Sequence, residues 1–153
     1  MQPISYGMHN IDEIAKKIRG LVGQYPIITF TGSLGAGKTT LIGRILAHYG
    51  VQEPVTSPTF TYLQQYTTAD GKIVYHFDLY RIDSVDAFLA AGFDEYLHQP
   101  GSIVFIEWPE VIMPLIADSV CHINLEYCDE GSRLLRYNEV PARKKADSFV
   151  KKS

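Results

Sequence analysis

Cysteine is scarce in this 153-residue chain, which has only Cys121 and Cys128. Two thiols exclude a disulfide scaffold and a thiolate zinc cage. Their neighbours Glu126 and Asp129 offer no metal-ligand spacing, so both read as reduced thiols of a cytosolic protein. Long apolar runs are missing too, and nothing approaches the roughly 20 residues that a membrane span needs. Residues 1–9 lack the basic stretch and apolar run of a secretion signal. Repeats and low-complexity tracts are absent. So is an excess of positive charge: 14 Lys and Arg stand against 17 Asp and Glu, a net of −3. That balance argues against a dedicated nucleic-acid binder, DNA included. What is present is 46% hydrophobic and 20% charged residues. They support one domain over 1–153, with a core at about 10–140 and a basic tail at 141–153.

The charge is unevenly distributed. Residues 1–50 hold 5 basic and 2 acidic side chains, residues 51–135 hold 3 and 13, and residues 136–153 hold 6 and 2. An acidic middle therefore lies between two basic ends. A solvated surface explains such a block; carboxylates that hold a metal, or an acidic docking face, explain it as well. The tail residues Arg143, Lys144, Lys145, Lys151 and Lys152 read as a frayed terminus or as a contact for RNA or a partner.

Local patterns predict the elements. Asn10 with Glu13 reads as a capping box. Ile11, Ile14, Ala15, Ile18, Leu21 and Val22 follow at helical spacing, up to Gly23. Residues 27–31, Ile-Ile-Thr-Phe-Thr, form a buried strand. A glycine-rich loop and a helix over 39–49 come next. Strands at 61–66 and 73–77 flank the turn signal Asp70-Gly71, which makes a hairpin. One or two short helices over 84–96 break near Gly92. Further strands are expected at 103–106, 120–127 and 134–137. Together these elements predict an α/β fold whose sheet is at least partly antiparallel through the hairpin.

Gly32, Ser33, Leu34, Gly35, Ala36, Gly37, Lys38 and Thr39 fit the pattern G-x-x-x-x-G-K-[ST], with Thr40 following. The match follows a buried strand and opens a helix, as its chemistry requires. Backbone N–H groups cradle phosphates, and the helix N-terminus adds partial positive charge. Lys38 reaches the outer phosphates, and the Thr39 hydroxyl ligates Mg²⁺. An acid must attend that metal. Asp78 and Glu107 each end a predicted strand, where ligands of parallel sheets sit. Glu107 follows the more buried strand and is the choice for the metal-holding acid. Asp78 either senses the γ-phosphate or shares the Mg²⁺ shell. Ser57, Thr59 and Thr61 resemble a switch segment in chemistry. No guanine-reading motif is visible, so adenine is the default base. His76 reads as a packed or hydrogen-bonded histidine. Arg81 pairs with an acid or reaches a phosphate.

Four pieces together resemble one family: Leu34-Gly35-Ala36-Gly37-Lys38-Thr39-Thr40-Leu41, Ser57-Pro58-Thr59-Phe60-Thr61, His76-Phe77-Asp78-Leu79-Tyr80-Arg81 and Ile106-Glu107-Trp108-Pro109-Glu110. In this order they are similar to TsaE (YjeE), the P-loop ATPase of bacterial N6-threonylcarbamoyladenosine synthesis at tRNA position 37. The resemblance implies a P-loop NTPase-like three-layer α/β fold with a mixed, mostly parallel central sheet and an antiparallel hairpin, and Mg²⁺-dependent ATP binding and slow hydrolysis in the cytoplasm. It implies docking on a TsaD–TsaB pair, whose turnover the hydrolysis supports, with tRNA held through those partners. It places Thr39 and Glu107 at the magnesium, Lys38 at the phosphates and Asp78 in a position linked to hydrolysis. Tyr80, Arg81 and Trp108 are matched as accessory or partner contacts. One departure is Ser33, where the family commonly has an acid; that position is free to vary for phosphate binding. The rival readings are a small nucleotide or metabolite kinase, and an ATP-binding regulatory module that does not need hydrolysis. Against the kinase stand the short chain and the lack of an arginine-rich lid.

Overall fold

A computed structural model of the chain describes residues 3–58, 60–129 and 131–142. The basic tail from Arg143 onward lies outside them. The elements run β1 (Ile4–Tyr6), α1 (Ile11–Val22), β2 (Ile27–Thr31), α2 (Lys38–His48), β3 (Leu63–Thr67), β4 (Ile73–Asp78), α3 (Val85–Ala90), β5 (Ile103–Glu107), β6 (Val120–Tyr127) and β7 (Arg133–Val140). Short 3₁₀ turns at Phe93–Tyr96 and Glu110–Leu115 complete the chain order.

One seven-stranded sheet has the order β1-β7-β6-β2-β5-β4-β3. The pairs β6–β2, β2–β5 and β5–β4 are parallel; β1–β7, β7–β6 and β4–β3 are antiparallel. Five of the seven strands therefore point one way, with β7 and β3 reversed. The mixed, mostly parallel sheet with its antiparallel hairpin is the expected fold. The parallel centre explains the unbroken apolar runs. Ile27, Ile28 and Phe30 in β2, and Ile103 to Ile106 in β5, are buried on both faces.

Two clusters fill the layers. Ile28, Phe30, Val74 and Phe105 pack under α1 and α2, whose Ile11, Ile14, Ile18, Leu41, Ile42 and Ile45 face inward. On the other face Ile27, Phe77, Val104 and Ile106 pack with Phe88 of α3 and Ile112. Helix α1 spans the expected residues, but Asn10 does not cap it through its side chain. Its Oδ1 instead accepts from the Gly7 N–H at 2.8 Å. The Asn10 side chain thus turns back to close the turn before the helix, so the capping box is not formed.

Strand β1 was not foreseen, because three residues on a sheet edge carry too little periodicity to read. Strand β3 begins two residues later than expected. A tight turn, closed by Tyr62 N–H to Pro58 O at 2.7 Å, occupies its predicted start and drives Tyr62 to φ 65°. Among the described residues no helix is long and apolar enough to cross a membrane.

Both cysteines are free; Cys121 is buried in β6 and Cys128 exposed. Burial, reinforced by Glu139, pushes the Cys121 thiol up to about 11. At pH 8 an aromatic disulfide reagent should therefore titrate one thiol in the native protein and two after unfolding. The core makes a second expectation. Phe105 is fully buried and meets Phe30 edge-on at 5.8 Å. Phe105→Ala should cost about 3–5 kcal/mol in urea unfolding, while exposed Leu89→Ala should stay within about 0.5 kcal/mol.

Candidate nucleotide site

The parallel strands β2, β4 and β5 end together at one edge of the sheet. Register sets Asp78 directly beside Glu107, and Glu107 beside Phe30. The loop leaving β2 climbs over these ends and turns into α2. Gly32 and Gly37 make that path possible. Gly32 has φ 138°, and a Cβ there would meet the Leu125 carbonyl oxygen at 2.3 Å. Gly37 holds the helix N-cap position at φ 97°. Both values favour glycine.

Glu107 is 3% exposed, and its carboxylate gathers the neighbouring polar groups. The Thr39 hydroxyl donates to Oε1 at 2.9 Å and lies 3.0 Å from Oε2. His76, fully buried on β4, has Nε2 2.6 Å from Oε2. A carboxylate is acceptor-only, so the imidazole donates through Nε2. Its Nδ1 is the single buried side-chain polar atom without a partner among the described residues. Asp78 is held separately. Its Oδ2 accepts from the Ser57 hydroxyl, and its Oδ1 from the Tyr80 N–H at 3.0 Å.

Lys38 is 5% exposed and rests on its own loop. Its Nζ donates to Gly32 O at 2.7 Å and Ser33 O at 3.0 Å, and sits 4.1 Å from the centre of the Trp108 ring. Burial pushes its ammonium below the ordinary value, while the carboxylates of Glu107, Asp78 and Glu110 push back. Trp108 has φ 59°, a strained conformation for an aromatic residue. Its N–H donates to Phe30 O at 3.2 Å, and its ring leans on Tyr80 at 4.9 Å.

Lys38, Thr39, Ser57, Asp78, Tyr80, Glu107 and Trp108 line a cleft of about 510 Å³ with Leu34, Gly35, Gly37, Thr40, Arg81 and Arg133. Of the expected residues, Lys38, Thr39, Thr40, Ser57, Asp78, Tyr80, Arg81, Glu107 and Trp108 all reach it. Thr61 is not among the residues that line it. The Thr61 hydroxyl lies 3.4 Å from Leu63 O in its own chain turn. Ser33 is exposed and offers its carbonyl to Lys38. Thr59 lies outside the described residues. Arg81 lies at the cleft with its guanidinium 5.4 Å over the Phe60 ring, and it forms no salt bridge among the described residues. Arg133 is the residue that sequence reasoning missed. A single arginine after a turn carries no spacing signal, and only the β6–β7 pairing brings it to the loop.

The donor set suits a hard cation. Thr39 supplies a hydroxyl, and Asp78 and Glu107 supply carboxylates. No group of three or more His, Cys, Asp or Glu that could hold a metal occurs among the described residues. Mg²⁺ keeps several waters and takes phosphate oxygens, so it needs only one or two protein ligands. Lys38, Arg81 and Arg133 add three positive charges around the cleft, a fit for a polyphosphate.

The family model described as "Threonylcarbamoyl adenosine biosynthesis protein TsaE" matches residues 7–135. A Rickettsia felis protein named tRNA threonylcarbamoyladenosine biosynthesis protein TsaE is 39% identical over 130 residues, covering 82% of this chain and 74% of that one. Its namesake in Nostoc is 41% identical over 112 residues, covering 70% and 66%. In Haemophilus influenzae the namesake is 36% identical over 108 residues, covering 71% and 67%. The crystal structure of Bacillus subtilis YdiB superposes with a TM-score of 0.67 at 23% identity, covering 99% of this chain and 93% of that chain.

His76 is fully buried and Glu107 nearly so, and removing the imidazole leaves the carboxylate short of a donor. His76→Ala should lower stability by about 1–3 kcal/mol in urea unfolding. Glu107→Gln should cost less, because its amide oxygen still accepts from the imidazole.

Proposed function

Because the chain belongs to the TsaE family, a family of tRNA threonylcarbamoyladenosine biosynthesis, we propose that it binds ATP with Mg²⁺ and hydrolyses it slowly. The hydrolysis supports turnover of a TsaD–TsaB complex in cytoplasmic N6-threonylcarbamoyladenosine formation. The observation that carries the reading is the convergence of Lys38, Thr39, Asp78 and Glu107 in one cleft under a glycine loop.

The residues divide the work. Backbone N–H groups of the loop 33–39 hold the phosphates. Lys38 moves its ammonium from the Gly32 and Ser33 carbonyls to the phosphate oxygens. Thr39 through its hydroxyl and Glu107 through its carboxylate would hold the cation. Bound there, Mg²⁺ neutralises charge on the phosphate oxygens. Asp78 or Glu107 orients the attacking water. Arg81 rests over Phe60, and that position matches slow hydrolysis by the chain alone. Leu34, Phe60 and Tyr80 stay exposed beside the cleft, an apolar rim suited to a protein partner. The net charge of −3 leaves tRNA to the partners. One domain carries all of this.

ATP turnover measured with the purified chain, then with TsaD and TsaB added, tests the reading. Stimulation and a nucleotide-dependent complex are expected, with phosphate released to water. Absence of both overturns it, and transfer to an acceptor favours the kinase. Lys38→Ala should weaken ATP binding at least about 10-fold. Glu107→Gln should lower hydrolysis on the order of 10²-fold while leaving Mg²⁺-free binding in place.

A further inference from the structure

We propose that His76 is the positioning residue of the cation site: its imidazole pins one oxygen of the Glu107 carboxylate and leaves the other for the metal. The inference rests on the nucleotide and cation reading above and names the group that orients its buried acid.

The placement follows from strand alternation. Val74 of β4 belongs to the cluster under α1 and α2. Side chains two apart on a strand share a face, so His76 and Asp78 lie on that face too. Register sets His76 beside Phe105 and Asp78 beside Glu107. His76 is therefore two residues deeper in the sheet than the pair of acids. It meets Glu107 from within the core, while Thr39 meets the same carboxylate from α2. The two contacts differ in what they select. The Thr39 hydroxyl lies 2.9 Å from Oε1 and 3.0 Å from Oε2, so it holds the carboxylate without choosing between its oxygens. The imidazole does choose, with Nε2 2.6 Å from Oε2. The terminal torsion of a glutamate is broad, so a carboxylate without such a bond swivels. With Oε2 engaged by the ring, Oε1 remains beside the Thr39 hydroxyl for the cation. Hydrogen bonds to a ligating carboxylate orient it in this way.

Packing alone does not account for a histidine here. The ring is fully buried, and its Nδ1 has no partner among the described residues. Burying an unpaired polar atom costs stability. Val74, Tyr75 and Phe77, its neighbours on β4, are buried hydrophobic residues. An apolar side chain at position 76 would fill the same space without that cost. What it would lack is the N–H that faces Glu107. That donor serves a carboxylate which itself lines the cleft beside Lys38 and Thr39. The imidazole does not line the cleft, so it acts through Glu107 and touches neither nucleotide nor cation.

Calorimetric titration with the β,γ-imido analogue of ATP, once in excess Mg²⁺ and once in EDTA, isolates the metal's share of binding without any turnover. Wild type should bind the analogue at least about 10-fold more tightly with Mg²⁺. His76→Leu should cut that gain about 10-fold and change affinity in EDTA no more than about twofold. His76→Gln, whose amide N–H replaces the donor, should keep the gain within about threefold of wild type. A full Mg²⁺ gain in folded His76→Leu overturns the positioning role while the nucleotide reading stands. So does an equal fall with and without the metal, or a His76→Gln as impaired as His76→Leu. A wild type that binds the analogue without any Mg²⁺ gain removes the cation reading and this inference together, and one that does not bind it removes the nucleotide reading as well. Thermal melts confirm folding of each variant. If His76→Leu does not fold, long-range ¹H–¹⁵N spectra of wild type decide: the ring proton must stay on Nε2 with and without Mg²⁺, and its absence from Nε2 in either state overturns the proposal.

Discussion

A carboxylate buried at the end of a central strand is the constraint on which this site depends. Glu107 cannot sit 3% exposed without partners, because an isolated buried charge is too costly. It therefore dictates a hydroxyl at Thr39 and an imidazole at His76, each at hydrogen-bond distance. Those two come from α2 and β4. One side chain thus locks the helix after the glycine loop to the strand beside it. The parallel register that sets Asp78 against Glu107 brings the second carboxylate to the same level.

The position of Lys38 follows from the same economy. Its ammonium is desolvated, so it needs acceptors, and it finds the two loop carbonyls at Gly32 and Ser33. The ring of Trp108 covers it at 4.1 Å. That ring is in reach because the chain turns sharply after β5, at a positive φ that an aromatic residue adopts only under compensation. The backbone bond to Phe30 and the packing on Tyr80 supply it. In the proposed reaction a phosphate replaces the loop carbonyls as the partner of Lys38. The contact to Trp108 then links the chemistry to the exposed rim formed by Tyr80 and its neighbours.

The acidic middle of the chain divides along structural lines. Asp78 and Glu107 are buried at the cleft. Asp118 and Glu126 pair with His98 and Arg136 at half-exposed positions. Such exposed pairs contribute little to stability, since water and salt screen them. The two carboxylates with a proposed role are thus the two that the fold removes from water among the described residues, and these paired ones remain solvated surface.

Composition and local pattern by themselves determined the α/β class, the strand–loop–helix start, the hairpin and the glycine loop with Lys38 and Thr39. All are short-range: periodicity, turn chemistry and a contiguous motif. The acids at strand ends were legible because strand ends are legible, and His76 read correctly as a hydrogen-bonded residue. Only the tertiary structure decided that His76 bonds Glu107, that Ser57 and Tyr80 hold Asp78, and that Thr61 bonds within its own turn. Only it brought Arg133 across the sheet to Ala36. The His76, Ser57 and Arg133 contacts join segments far apart in the chain, which packing brings together and no local window contains, whereas the Tyr80 and Thr61 bonds close short turns whose conformation the surrounding fold sets.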